Sequence, residues 1–376
     1  MKKVKCQDNF NTMIGEINGI KSVVEVHQDG DTQTFISHPI LVDKNSQGKE
    51  RPWRDKKINN LLTSKLYRSL SEFDGDYWDK KASRLLDCST LLMFNVLDEH
   101  TRHLKLKSMN SCRVRLCPVC SWRRTLKISS HARKIFSYLE TNYSDTYCYL
   151  LLTLTVPNCP ASALCDTITH LMKSFDRLMK RKEVKSIIRG WYRGLEITHN
   201  HNINSKSYDT YHPHFHVLLV MDKSYLEQRK IERGYISHER WLKLWQECCR
   251  DDSITQVDIR AVKPKKVSKN NDDMLSSSGL LNAICEITKY TVKDKDYILP
   301  YDWELSQDIV RVLDGALANR RLVAWGGILK EIKNKLNLDD EIDGDLVNVE
   351  DDFEDDNKIN QVLAFWHTGY QQYILT

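Results

Sequence analysis

Residues 211–222 read YHPHFHVLLVMD. Side chains along a strand alternate, so His212, His214 and His216 share one face. Either the three imidazoles solvate an exposed edge or they hold a ligand. The apolar Val217–Val220 run marks a central strand with its other face in a core, which sets the histidines on the opposite face. Two neutral imidazoles and a carboxylate suit a catalytic divalent ion with open positions. The preceding stretch GLEITHN (194–200) offers Glu196, which falls opposite the histidine pair if the strands form a hairpin across 201–210. His199 and His212 are alternative ligands.

Outward from this strand, helix and strand signals alternate. YCYLLLTLTVPN (147–158) reads as a strand stopped by Pro157 and Asn158. Residues 162–184 carry Leu164, Ile168, Leu171, Phe175 and Leu178 at helical spacing. GWYRGLEITHN (190–200) is a second strand. SHERWLKLWQECCR (237–250) is a helix with Ser237 as its cap and Glu239 in its first turn, and SITQVDIRAVKP (253–264) is another strand. A linker or mobile loop, then the helix LLNAICEITKYTVKDKDY (280–297), complete the series. The order strand, helix, strand, strand, helix, strand predicts an α+β fold: a ferredoxin-like, RRM-like antiparallel sheet with helices packed on one face. The expected divisions are a basic arm or accessory region at 1–80, a cysteine-rich segment and helix at 81–140, the core at 141–300, a helical extension at 301–338, and an acidic tail with a terminal strand at 339–376.

The chain has 376 residues, 41% hydrophobic and 28% charged, an ordinary composition for a soluble protein of two or three domains. No apolar run reaches the roughly 20 residues of a membrane span, and no apolar segment follows the basic start, so a cytoplasmic protein with no membrane partner is expected. The net charge of +5 hides an asymmetry. Residues 339–356 hold eleven acidic groups and no basic one, which leaves the other 358 residues at +16. Such a charge suits a polyanionic partner such as nucleic acid. The acidic segment itself reads as solvated and disordered.

Eleven cysteines in a chain without secretory features point to metal binding rather than disulfides. SCRVRLCPVCSWRR (111–124) holds Cys112, Cys117 and Cys120. A Cys-Pro-x-Cys knuckle can present two thiolates to one tetrahedral ion, and structural Zn2+ takes four ligands. Cys88 is the fourth choice, with His100 or His103 as substitutes. Arg113, Arg115, Arg123 and Arg124 surround the knuckle and suit a surface that faces phosphates.

In CEITKYTVK (285–293), Glu286 and Tyr290 lie four apart, which places them on one helix face. Tyrosine is a poor nucleophile until a cation stabilises its phenolate or a metal polarises its target; Lys289 and Lys293 are close in sequence. A glutamate beside it can orient or deprotonate water.

LLTLTVPN, HPHFHVLL and EITKY stand in one order, after CRVRLCPVCSWRRTLK. Together these motifs resemble the HUH endonuclease superfamily and, within it, the rolling-circle replication initiators (Rep proteins) of small bacterial plasmids that use one tyrosine and a nearby glutamate. The resemblance spans roughly residues 85–335. It implies a nickase that cuts one strand at a plasmid's double-strand origin through a 5′-phosphotyrosine. His214, His216 and Glu196 would hold the metal, Tyr290 would be the nucleophile, and Glu286 would let water end the cycle. Tyr297, seven residues beyond Tyr290, leaves a two-tyrosine cycle open. Imidazole and carboxylate ligands admit Mn2+ or Mg2+. The partners implied are origin DNA, as a hairpin or single-stranded nick site, and a host helicase and polymerase. Trp191 and Tyr192 either stack on bases or belong to the core. A transposase or relaxase of the same chemistry, and a non-enzymatic zinc-stapled DNA-binding regulator, are the competing readings.

Overall fold

The computed structural model describes residues 12–17, 19–29, 32–98, 103–228, 234–262, 278–288, 291–341, 343–349 and 360–376. In chain order these form β1 (Thr12–Ile17), β2 (Ile20–Asp29), β3 (Thr32–Pro39), α1 (Trp53–Asp87), β4 (Leu91–Asp98), β5 (His103–Met109) and α2 (Pro118–Asn142). Then come β6 (Tyr147–Thr155), α3 (Leu164–Lys180), α4 (Lys182–Ile187), β7 (Ile188–Asn200), β8 (Thr210–Asp222), α5 (Tyr225–Gln228), α6 (His238–Cys249) and β9 (Val257–Ala261). After α7 (Ser278–Ile287) follow α8 (Trp303–Leu317), β10 (Val323–Gly327), α9 (Ile328–Lys335), β11 (Gln361–His367) and β12 (Gln372–Leu375). The chain divides into two units, residues 1–123 with 346–376, and residues 124–345.

In the first unit, β1-β2-β3 form one antiparallel sheet and β12-β11-β4-β5 another. The terminal stretch supplies two strands of the second sheet. Trp53, at the start of α1, is 2% exposed and meets Trp122, Phe94 and Tyr373 edge-on, while its indole N–H donates to Asp43 Oδ2 at 2.7 Å. Residues 12–80 therefore hold a three-stranded sheet and most of a 35-residue helix rather than an arm.

The second unit is built on a five-stranded antiparallel sheet in the order β10-β7-β8-β6-β9. Counting β6 to β9 as first to fourth, they lie second, third, first, fourth, the order a split βαβ pair produces. β8 is central because Val217–Met221 has no exposed residue on either face. On one face, Leu164, Ile168, Leu171, Phe175 and Leu178 of α3 are fully buried, and Phe175 meets Phe215 and Trp191 at ring distances of 5.6 and 5.0 Å. Ser237 caps α6 by accepting from Arg240 N. The other face is not free of helices. Leu218 and Val220 continue the histidine row as apolar residues, and α2, α7 and α9 bury them together with Tyr192 and Trp325. Helices thus cover both faces, and only the half of the second face that carries His212, His214 and His216 differs.

Residues 311–336, which read as helix, contain β10 between α8 and α9. Gly326 and Gly327 allow it: a Cβ on Gly326 would fall 2.1 Å from the Trp191 ring, and Gly327 has φ +57° with the backbone of Arg189 2.2 Å from a Cβ. The acidic stretch is not wholly solvated either. Glu341 is 4% exposed and accepts from Trp325 Nε1 at 2.8 Å and Lys333 Nζ at 2.6 Å. Among the described residues, no helix is long and apolar enough to cross a membrane.

Candidate functional site

β7 and β8 form the hairpin that positions the first cluster. Their register sets Glu196 opposite His214 and Gly194 opposite His216, so all three chemical groups rise from one patch of one face. His216 Nε2 lies 2.9 Å and His214 Nε2 3.5 Å from Glu196 Oε2. Ligands at about 2.1 Å from a six-coordinate cation stand roughly 3.0 Å apart when adjacent, so the three atoms fit a single divalent ion. The remaining ring nitrogens are also engaged. His214 Nδ1 is 3.1 Å from the carbonyl of His212, and His216 Nδ1 is 3.4 Å from Thr153 Oγ1. With Nδ1 donating to that carbonyl, the neutral ring of His214 keeps its Nε2 lone pair for an ion, while the protonated ring donates from Nε2 to Glu196.

The site is a recess rather than an open platform: the side chains of Glu196, His214 and His216 are 7%, 11% and 13% exposed. Lys293 Nζ donates to Glu196 Oε1 at 2.6 Å. Burial alone would raise the Glu196 pKa, but hydrogen bonds from His214, His216 and Lys293 hold its carboxyl well below the usual range. Glu196 is therefore a carboxylate at any physiological pH. Lys293, the cation close in sequence to Tyr290, is part of this cluster. His212 continues the row and stacks on His214 at 5.0 Å. His199 faces the other way and binds Asp209 Oδ1 at 3.0 Å, which removes it as a ligand. Tyr192 is fully buried against Trp325 and belongs to the core, while the half-buried Trp191 packs on Phe175.

α7 ends at Ile287, and Tyr290 and Lys289 lie outside the described residues. Thr291 beyond them accepts at its carbonyl from Ile197 N at 2.7 Å, one residue from Glu196. Glu286, on α7, has Arg260 Nη2 3.5 Å from its Oε1. Tyr297 follows a 3-10 turn rather than a continued helix and is 1% exposed, which argues against a second nucleophile there.

The second cluster lies in the first unit. Cys88 follows α1, Cys112 and Cys117 lie in the loop after β5, and Cys120 is in the first turn of α2, which Pro118 opens. Sulfur separations of 3.6 Å (Cys88 to Cys120 and to Cys117) and 3.7 Å (Cys112 to Cys120) match the roughly 3.8 Å edge of a tetrahedron with 2.3 Å zinc–sulfur bonds. Cys120 N points at Cys117 Sγ from 3.5 Å, so the helix N-terminus favours a thiolate there. Burial pushes the Cys112 and Cys117 thiols up, the cost that a bound cation offsets. The set is complete with four cysteines; His100 lies outside the described residues and His103 opens β5.

Two residues at this cluster had no signal in the sequence. Lys57, fully buried, donates to the carbonyls of Cys88 and Leu86 at 2.6 and 2.9 Å and to Asn60 Oδ1 at 3.2 Å. Asn60 Nδ2 in turn reaches Cys117 Sγ at 3.3 Å. Burial pushes the Lys57 ammonium down, while the sulfurs of Cys88, Cys117 and Cys112 favour its charge. The arginines divide. Arg113 is exposed and Arg115 half-buried, whereas Arg124 is buried and Arg123, 4% exposed, donates to the carbonyls of Leu346 and Val347 at 2.9 and 2.7 Å. Arg123 thus ties α2 to the terminal stretch.

The replication protein family matches residues 103–374. A Protein rep of Bacillus amyloliquefaciens is 40% identical over 346 residues, covering 90% of this chain and 98% of its own length. One from Streptococcus pneumoniae serotype 2 is 34% identical over 89% of this chain and 95% of that protein, and one from Lactiplantibacillus plantarum is 35% identical over 89% and 99%. No solved structure matches the chain. Matched along almost the whole of these relatives, the chain belongs to the replication protein family, the Rep replication initiators to which its motifs point.

Proposed function

We propose that this initiator is an HUH-type, metal-dependent tyrosine nickase and strand transferase that opens rolling-circle replication at a plasmid double-strand origin. The observation that carries the reading is the convergence of His214 and His216 on Glu196 Oε2, with the chain that follows Tyr290 bonded to the same strand at Ile197. A bound Mn2+ or Mg2+ would neutralise charge on the scissile phosphate. Glu196, His214 and His216 would hold it, and Thr153 and the His212 carbonyl keep the imidazoles aimed. Tyr290 Oη attacks phosphorus, the bond to O3′ breaks, and the phenol proton is made good on the departing 3′-oxygen. The products are a 5′-phosphotyrosine and a free 3′-OH that a host polymerase extends, with a host helicase opening the duplex. Glu286 then takes a proton from water, whose attack on phosphorus releases Tyr290 and ends the cycle. The four cysteines suit a structural Zn2+ that ties α1 to the first turn of α2.

The test is covalent capture. Labelled single-stranded origin oligonucleotide and Mn2+ should yield a protein–DNA adduct on a denaturing gel, and Tyr290→Phe should abolish it. An adduct that survives in Tyr290→Phe, or none from the wild type with its cognate origin, sinks the mechanism.

A further inference from the structure

Gly194 lies on β7 between Tyr192 and Glu196, on the ligand-bearing face and directly across from His216. A Cβ at this position would come 2.9 Å from the carbonyl oxygen of Ile287 and 3.4 Å from Tyr192 Oη. Ile287 is the last residue of α7. The obstructing atom is backbone, so no rotamer change relieves it, and the helix end would have to rise by about half an ångström to reach ordinary contact. Thr288, next in the chain, is 2% exposed; its hydroxyl donates to Ile284 O at 2.8 Å, leaving Ser129 Oγ to donate to it at 3.3 Å. On the far side of Tyr290, the Thr291 carbonyl is fixed to Ile197 N at 2.7 Å and Lys293 to Glu196 at 2.6 Å. Thr288 on one side and Thr291 and Lys293 on the other are thus each bonded, and Gly194 is the floor beneath the α7 end.

We infer that Gly194 is a positioning residue for strand cleavage: its missing side chain sets the height of the α7 end, from which the chain runs on to Tyr290. The inference rests on the reading of Tyr290 as the nucleophile. Gly190 provides a control on the same strand, because a Cβ there would meet Ile328 Cγ2 at 2.8 Å and Leu329 Cγ at 3.2 Å, contacts with α9 rather than α7.

The experiment compares wild type, Gly194→Ala and Gly190→Ala by the single-turnover rate of adduct formation at saturating oligonucleotide and Mn2+, with separate measurement of oligonucleotide affinity, Mn2+ affinity and melting temperature. A displacement of a reacting group by a fraction of an ångström to 1 Å costs on the order of tenfold to a hundredfold in rate. Gly194→Ala should therefore slow the adduct step by at least about tenfold while both affinities stay within about twofold. Gly190→Ala should lower the melting temperature and keep the wild-type rate per folded molecule. A wild-type rate in Gly194→Ala overturns the inference, as does a loss of rate and both affinities together. Should Gly194→Ala not fold, Ser129→Ala carries the test, since it removes the tie to Thr288 and adds no atom: a several-fold slower adduct step with unchanged affinities supports the inference, and an unchanged rate overturns it. A wild type without a Tyr290-dependent adduct overturns the nickase reading and this inference with it, an outcome distinct from failure in Gly194→Ala alone.

Discussion

The four cysteines and the Glu196–His214–His216 row differ most in what surrounds the ligands. Cys88, Cys112, Cys117 and Cys120 are 0–5% exposed, and their four sulfurs lie within 4.8 Å of one another. Lys57, beside them, turns its protons to backbone carbonyls and an amide oxygen. The histidine row offers three ligands, and its cation, Lys293, bonds a ligand oxygen directly while remaining about one-third exposed. A filled and sealed set of thiols has no place for a substrate and can act only on the fold. Three ligands beside a partly exposed cation leave coordination positions and a path in for a phosphate oxygen.

The widest break between the two comes from removing one ligand in each. Structural zinc sites supply on the order of 10 kcal/mol in small domains, so Cys117→Ser should cost several kcal/mol and melt the first unit early, with bound zinc lost. His216→Ala should leave melting within about 1 kcal/mol and cut Mn2+-dependent adduct formation by roughly a thousandfold, the worth of several kcal/mol of charge stabilisation. Thermal denaturation, zinc content and the adduct gel decide it; a Cys117→Ser protein that melts like wild type, or a His216→Ala protein that unfolds, removes the distinction.

Much of the histidine site was legible because it is local. Period two aligned His214 with His216, one hairpin brought Glu196 across, and the apolar Val217–Val220 run marked the strand as central. Cys88 was readable as a fourth thiol by count alone. The contacts of Lys57, Asn60 and Lys293 were not readable, since each spans tens of residues, from the 29 between Lys57 and Leu86 to the 97 between Glu196 and Lys293. Arg123 shows the converse: charge suggests a surface, yet its guanidinium donates to a carbonyl of the terminal stretch 223 residues away. The strand β10 was hidden in an apparently helical run because its reason, Gly326 under the Trp191 ring, is visible only when β7 is beside it.

A third cluster sharpens the comparison, as it has the same residue types as the histidine row and no room for an ion. Glu341 has His131 Nδ1 at 3.4 Å, Lys333 Nζ at 2.6 Å and Trp325 Nε1 at 2.8 Å, all from its Oε1, and Asp339 Oδ1 lies 3.4 Å from the other nitrogen of His131. An indole N–H only donates, so this carboxylate is satisfied by protons alone. Burial would raise its pKa, but His131 and Lys333 bring it down to about 2 from an ordinary 4.5. A depressed carboxylate stabilises the fold fully above its unfolded pKa and less as pH falls through the folded one. The second unit should therefore lose about 3 kcal/mol between roughly pH 4.5 and pH 2, a loss absent from Glu341→Gln. Denaturant titrations at a series of pH values measure it, and equal acid sensitivity in the two proteins would assign that loss elsewhere.

The finest contrast lies between the two lysines. Lys57→Met leaves the buried carbonyl of Cys88 and the part-buried one of Leu86 without this donor, at about 1–3 kcal/mol for the buried one before relaxation. It should lower the melting temperature of the first unit and speed zinc loss to a chelator, with the adduct rate of surviving folded protein unchanged. Lys293→Met removes a positive charge 2.6 Å from Glu196 Oε1 at a site open to water, so stability should move by no more than about 1 kcal/mol. The same change should tighten Mn2+ binding by up to roughly tenfold, because an ammonium and a divalent ion repel across one carboxylate. Titration of each variant with Mn2+ alone reads this without reference to turnover. If Lys293→Met weakens Mn2+ binding, the lysine aids assembly of the ligand set instead of competing with the ion for its carboxylate.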